Sequence, residues 1–114
     1  MQSRPPEEGA GVTNLRHNAK RDANEPDIVD ALKAAGYRVY RVNGEGVPDL
    51  IVCRQGRPTI VLMEVKMADG DFRPAQARFW TETSGVLRFV VRTPEEALKV
   101  AETWILLERS ESLA

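Results

Sequence analysis

Two apolar runs in this chain carry charges that a buried strand does not ordinarily contain. The first, residues 47–52 (VPDLIV), includes Asp49, and the second, residues 61–66 (VLMEVK), ends with Glu64 and Lys66. Because side chains alternate between the two faces of a strand, Glu64 and Lys66 share one face. Burying a carboxylate is costly unless a partner compensates its charge. The charged ends of these two strands therefore limit how the chain can fold.

The hydrophobic pattern predicts seven elements in the order α-β-β-β-α-β-α. Helices are expected from about Asn24 to Gly36, from Pro74 to about Thr83 and from Thr93 onward, and strands at 37–42, 47–53, 59–66 and 86–92. Hairpins combined with a crossover helix predict an α/β fold with a central mixed sheet and helices on both faces.

The length of 114 residues fits one small domain. We expect that domain at 23–108. A flexible arm at 1–22, rich in proline and glycine, would precede it, and a frayed tail at 109–114 would follow.

Two of the predicted helices place a polar residue on an apolar stripe. In the first helix, the stripe that contains Ile28 and Leu32 extends backward by helical spacing to Glu25. In the second helix, Gln76 shares a face with Trp80. For Glu25, compensation of its charge by the helix dipole in the first turn is the structural alternative.

Glu25, Asp49, Glu64 and Gln76 thus occupy interior positions or strand ends, and Lys66 adds a cation. Hard oxygen ligands of this kind suit Mg²⁺ or Mn²⁺. With one cysteine and one histidine, the chain lacks a zinc ligand set. Two structural alternatives remain open: Asp49 as the acceptor of a backbone N–H, and Glu64 with Lys66 as a structural ion pair.

The pair Pro48-Asp49, followed 15 residues after the aspartate by Glu64-Val65-Lys66, resembles the PD-(D/E)xK nuclease superfamily. The segments NEPDIVDALKAAGYRVYRVNGEGVPDLIV and IVLMEVK are similar to the small phage and bacterial nucleases near the VRR-NUC and Holliday-junction-resolvase groups. The likeness covers about residues 20–100. It implies a restriction-endonuclease-like core, α-β-β-β-α-β plus a C-terminal helix, and a metal-dependent endodeoxyribonuclease.

The resemblance also implies roles for individual residues. Asp49, Glu64 and the main-chain carbonyl of Val65 would hold Mg²⁺, for which Mn²⁺ can substitute. Glu25 would contribute to the metal site directly or through water. Lys66 would position or activate the attacking water, and Gln76 would support the site.

The nuclease hypothesis also requires a surface that binds DNA. A net charge of −1 provides no overall attraction to DNA, so a local basic patch would have to bind it. The candidates are the following basic residues: Lys20, Arg21, Arg38, Arg41, Arg54, Arg73 and Arg78. Ordinary solvated surface charge is the alternative for these side chains.

The sequence contains no helix-turn-helix pattern, so we expect structure-selective or weakly sequence-specific cleavage. We expect a homodimer, with a partner protein that supplies DNA affinity as a further option. A single cysteine and the absence of a signal-peptide or transmembrane pattern favour the cytoplasm of a bacterium or a phage-infected host. The alternative function is a catalytically silent nucleic-acid-binding or complex-assembly module on the same fold.

Overall fold

The computed structural model describes residues 22–107, which form a four-stranded mixed sheet flanked by helices. The elements in chain order are α1 (Glu25–Ala34), β1 (Arg38–Arg41), β2 (Leu50–Cys53), β3 (Val61–Val65), α2 (Pro74–Glu82), β4 (Arg88–Val91) and α3 (Pro94–Ala101), which continues as a π-helical segment (Glu102–Leu107). The sheet has the order β1-β2-β3-β4; its first three strands are antiparallel, and β4 runs parallel to β3. The predicted α/β class with a mixed sheet is confirmed.

The predicted strands are too long at their ends. The second strand begins at Leu50 instead of residue 47, because Pro48 has no N–H to donate and the chain turns at Gly46, where φ is +82°. One ladder bond still extends beyond the strand, since the Val42 N–H donates to the Asp49 carbonyl at 2.8 Å. The predicted arm and tail lie outside the described residues, apart from Asp22, and so do Lys20 and Arg21.

The apolar core lies between one face of the sheet and the helices α1 and α3. Val61, Met63 and Val65 of β3 point to this face and are buried. Their partners from the two helices and the π-helical segment are Ile28, Val29, Leu32, Ala97, Ala101 and Ile105. Each helix in residues 22–107 falls short of the length and apolar character that a membrane span requires.

The opposite face of the sheet is covered by α2. On β3 this face carries Leu62 and Glu64, which alternate with the core residues. Arg88 is the register partner of Leu62, and its guanidinium lies 4.7 Å from the ring centroid of Trp80 in α2. Gln76 is buried whereas Trp80 is half-buried, so α2 covers this face only in part.

Asn24 ties the start of α1 to the ends of two strands. Asn24 occupies the N-cap position of α1, but its side chain makes no capping bond. Its amide instead donates to the Lys66 carbonyl at 3.0 Å and to the Arg92 carbonyl at 2.8 Å. These bonds fix the N-terminus of α1, and with it Glu25, beside the carboxyl ends of the parallel strands β3 and β4.

The loop between β1 and β2 approaches α2 closely at Gly46. A β-carbon added at Gly46 would lie 2.7 Å from the Ala75 carbonyl oxygen, a backbone atom that cannot rotate away. Gly56 also has a positive φ, +89°, but an added β-carbon there meets nothing within 4 Å. A side chain at either glycine would therefore strain the backbone, but only a side chain at Gly46 would also clash with a neighbouring residue.

We predict that Gly46→Ala destabilises the protein more than Gly56→Ala. The left-handed backbone should cost both variants about 1–2 kcal/mol. The clash with Ala75 should cost Gly46→Ala roughly 1–3 kcal/mol more. Urea unfolding of the two variants and the wild type measures the difference, and equal destabilisation would contradict this packing of the loop on α2.

Candidate functional site

Asp49 and Glu64 lie side by side on adjacent strands. Leu50 and Met63 are register partners in the β2–β3 ladder, so the next pair in the same register is Asp49 and Glu64. Asp49 Oδ2 accepts the Val65 N–H at 2.8 Å, and the two carboxyl groups are hydrogen-bonded to each other. Glu64 is 3% exposed. The backbone-acceptor alternative for Asp49 is therefore real, and it coexists with the carboxyl pair.

Gln76 joins α2 to this pair. Its Nε2 donates to Glu64 Oε2 at 2.8 Å, while its Oε1 accepts from Lys66 Nζ at 2.8 Å and from the Arg73 N–H at 2.9 Å. Because one end of the amide must donate and the other must accept, these contacts define its orientation. The buried amide thus connects a carboxyl group to an ammonium group.

Lys66 is buried at the end of β3. Its Nζ lies 3.7 Å from Glu64 Oε2 and 5.6 Å from the ring centroid of Phe72. The direct ion pair with Glu64 is therefore long, and the shorter bond is to Gln76. Burying both charges costs desolvation energy that such a pair does not generally recover, so stability alone is a weak reason for this arrangement.

Glu64 has an unusually basic carboxyl group. Burial, followed by the nearby charge of Asp49, raises the pKa of Glu64 from 4.5 to about 8. The hydrogen bond with Asp49 adds to the increase, and the charges of Lys66 and Arg73 oppose it. At neutral pH and without a cation, the Glu64 carboxyl group therefore holds a proton.

Glu25 lies at the same end of the sheet but is held by another partner. It is 1% exposed, and its Oε2 accepts from Arg41 Nε at 2.7 Å. Within residues 22–107, no three Asp, Glu, His or Cys side chains form a group that could hold a metal ion. Asp49 and Glu64 therefore form a pair that Glu25 does not complete, and a role for Glu25 through water stays a prediction.

The carboxyl pair nevertheless fits a magnesium ion. Mg²⁺ is usually held by one or two carboxylates, and it keeps several waters and binds substrate phosphates. A divalent cation beside Asp49 and Glu64 would also relieve the like-charge repulsion that the proton on Glu64 now relieves. The Val65 carbonyl as a third ligand stays a prediction.

The arginines predicted to contact DNA do not form one patch. Arg73 precedes α2 and lies close enough to Glu64 to influence its pKa, and Arg78 is exposed on α2. Arg41 is at the site end of β1, whereas Arg38 is about 10 Å away at the other end, beside Cys53.

Arg38 and Arg54 already have partners in the protein. Arg38 Nη2 donates to Gln55 Oε1 at 2.8 Å. Arg54 Nη1 donates to the Ala35 carbonyl at 3.0 Å, and its guanidinium lies over the ring of Tyr37. A phosphate-binding role for each arginine stays a prediction, and among them Arg73 is the one whose charge acts on Glu64.

The sequence did not reveal the residue that holds the loop beside the site. Arg92 Nη1 donates to the carbonyls of Met67, Ala68 and Gly70 and so fixes the loop after Lys66. No periodicity marks this arginine, because it follows a strand and bonds to a loop distant in sequence. The pairing of Arg41 with Glu25 was missed for the same reason.

We predict that the metal-free protein loses stability as pH rises from about 4.5 to about 8, the range in which Glu64 is protonated in the folded protein but ionised in the unfolded chain. The folded state holds a proton up to about pH 8, whereas an ordinary glutamate releases it near 4.5. This contribution is complete below pH 4.5 and is lost as pH rises toward 8, with a slope of at most about 1.4 kcal/mol per pH unit. Urea unfolding of Glu64→Gln in chelator should lack this slope.

Glu82→Gln, a change at an exposed glutamate of α2, is the control and should follow the wild type at every pH. Parallel curves for the wild type and Glu64→Gln would show that Glu64 does not titrate in this range.

The fold resembles that of a known nuclease-type domain. A solved structure described as "VRR_NUC domain" is 25% identical to this chain and superposes with a TM-score of 0.56. The similarity covers 71% of this chain and 97% of the other. No protein-family model matches the sequence, and no curated protein matches it. The chain therefore has a VRR-NUC nuclease-like fold, with the restriction-endonuclease-like arrangement that the sequence predicts.

Proposed function

We propose that this protein is a metal-dependent endonuclease that hydrolyses phosphodiester bonds in DNA. The observation that carries the proposal is the buried group in which Gln76 links Glu64 to Lys66 while Asp49 lies against Glu64. Two carboxyl groups and an ammonium held this closely have a clear use in hydrolysing a phosphate ester. The similarity to a structure described as "VRR_NUC domain" supports the same class of activity.

Mg²⁺ is the proposed cofactor, and Mn²⁺ is expected to replace it. Asp49, Glu64 and the Val65 carbonyl would hold the cation, with Glu25 acting through water. When bound, the cation supplies Lewis acidity that neutralises phosphate charge and promotes ionisation of water.

The protein's own groups orient the reactants. The Lys66 ammonium positions the attacking water and stabilises the charge that develops on the phosphoryl oxygens. Gln76 fixes Lys66 relative to Glu64 and is a positioning residue. The oxygen of water forms a bond to phosphorus while one phosphorus–oxygen bond to a sugar breaks, which leaves one phosphate monoester and one hydroxyl group.

Structure-selective or weakly sequence-specific cleavage is the proposed mode. The elements in residues 22–107 include no helix-turn-helix that could enter a major groove. A homodimer would present two sites to the two strands of a duplex, and a partner protein could add DNA affinity to a chain whose net charge is −1. The proposed location is the cytoplasm of a bacterium or phage-infected cell, in keeping with the free thiol of Cys53.

The wild-type protein should nick supercoiled plasmid in Mg²⁺ or Mn²⁺ and lose this activity in chelator. Glu64→Ala and Lys66→Ala should each lower the rate by about 100-fold or more, because each removes a group that acts on the transition state. Glu82→Ala, a change at an exposed acid of α2, should nick at the wild-type rate.

Two outcomes would contradict the proposal. Failure to cleave duplex, branched and single-stranded DNA in both metals would favour the catalytically silent module. Cleavage that survives Glu64→Ala would show that the activity comes from elsewhere.

Metal binding should be measurable without any DNA. Mg²⁺ should raise the thermal unfolding midpoint at about pH 8, and 100 times the dissociation constant should stabilise the protein by about 2.7 kcal/mol. The effect should weaken toward pH 6, because protons compete with the cation for Glu64, whose pKa is raised to about 8. Asp49→Asn should abolish the shift in the unfolding midpoint. A shift of the same size in that variant would show that the metal binds at another site.

A further inference from the structure

The sheet face that carries the carboxyl pair continues toward β1 and is partly open there. Tyr40, Ile51 and Leu62 are register partners across β1, β2 and β3. Ile51 lies two residues after Asp49 on β2, and Leu62 lies two residues before Glu64 on β3, so these register partners share the face of the carboxyl pair. Leu62 lies beneath α2, whereas Tyr40 is 58% exposed. A large aromatic ring therefore lies in solvent on the face of the proposed active site.

Tyr40 is also close to the carboxyl pair. It is opposite Ile51, and Asp49 is two residues before Ile51 on the same strand. Such diagonal neighbours across an antiparallel pair are about 7–8 Å apart at their backbones. A nucleotide whose phosphate lies at Asp49 could therefore place its own base, or that of its neighbour, on the ring of Tyr40.

The surroundings of Tyr40 suit a chain of phosphates. Exposed Arg38 lies two residues before Tyr40 on the same face of β1. Arg41 follows Tyr40 on the opposite face, and it keeps 46% of its side chain exposed while it binds Glu25. A cleft of about 440 Å³ lies where the end of α1 meets β1 and is lined by Lys33, Gly36, Tyr37, Arg38, Val39 and Tyr40. Its lining includes two cations and no carboxylate.

We propose that Tyr40 stacks on an unpaired nucleobase next to the scissile phosphate, so that the substrate has a single-stranded segment at this position. The inference rests on the proposed nuclease function and narrows its substrate class. Bases in a duplex stack on each other, so a protein ring can stack face to face only on a base that has left the helix. Aromatic stacking is worth about 1–3 kcal/mol per base and tolerates any base sequence.

A second copy of the chain fits this edge less well. If β1 paired with itself in antiparallel fashion about its centre, Arg38 would lie opposite Arg41 of the other copy. Like charges directly opposite one another destabilise such a ladder. The same arginines are favourable neighbours for a phosphate backbone, and we therefore favour nucleic acid as the occupant.

The test is binding of the full-length protein, in metal-free buffer, to a fluorescent oligothymidylate of about 16 nucleotides and to a duplex of the same length. Tyr40→Ala should weaken single-strand binding by about 5- to 150-fold, which is 1–3 kcal/mol converted to affinity, and leave duplex binding unchanged. Tyr40→Phe keeps the ring and should bind like the wild type. Leu107→Ala removes a side chain exposed to a similar degree, 55%, and is the matched control.

A second measurement on the wild type does not depend on any variant. Photocrosslinking with an oligonucleotide that contains 5-bromodeoxyuridine should attach the base to the peptide that includes Tyr40. Crosslinks confined to other peptides would overturn the proposal. So would the absence of single-strand binding, or an equal effect of Tyr40→Ala on both ligands.

Light scattering of the same variants tests whether a second copy of the chain occupies this face instead. A change from dimer to monomer in Tyr40→Ala, with single-strand affinity unchanged, would assign this face to self-association and overturn the proposal. Because binding is measured without cleavage, inactivity in the nicking assay would not affect these outcomes. An active enzyme whose Tyr40→Ala variant binds normally would overturn the stacking alone.

Discussion

The burial of Glu64 beside Asp49 is the interaction on which the site depends. A carboxyl group that is 3% exposed, next to a second carboxyl group, cannot remain ionised at neutral pH without a compensating charge. Gln76 donates a hydrogen bond to this group, and the nearby charge of Lys66 opposes the effects of burial and of Asp49. This compensation is incomplete, which is why the pKa of Glu64 stays near 8. Such an arrangement favours a function in which a cation enters.

The surrounding fold holds this group by contacts between distant parts of the chain. Asn24 bonds the start of α1 to the ends of β3 and β4, and Arg92 holds the loop that follows Lys66. Gln76 connects α2 to β3. The parallel pairing of β3 with β4 brings these attachments to one end of the sheet. The apolar core lies on the opposite face, so the polar group is not embedded in it.

Periodicity was enough to predict the parts of the site that lie on regular elements. The alternation of β3 places Glu64 and Lys66 on one face, and helical spacing puts Gln76 on the buried side of α2, where the structure also has them. The start of α1 at Asn24 followed from residue preferences at helix ends, but the bonds from the Asn24 amide to the Lys66 and Arg92 carbonyls could not be predicted, because these carbonyls are distant in sequence.

The pairing of Glu25 with Arg41, and the positions of Arg38 and Arg41 at opposite ends of β1, depend on strand register, which one sequence does not reveal. The Gly-rich loop before β2 could be predicted as a turn. Its contact with Ala75 could not, because that contact joins residues distant in sequence.

Anomalous diffraction from crystals soaked in Mn²⁺ at about pH 8 tests directly whether Asp49 and Glu64 bind a metal ion. We expect an anomalous peak within ligand distance of both carboxylates, with the direct hydrogen bond between them broken. Mn²⁺ bound only at other residues, with the Asp49–Glu64 hydrogen bond intact, would contradict the claim that this carboxyl pair is a metal site.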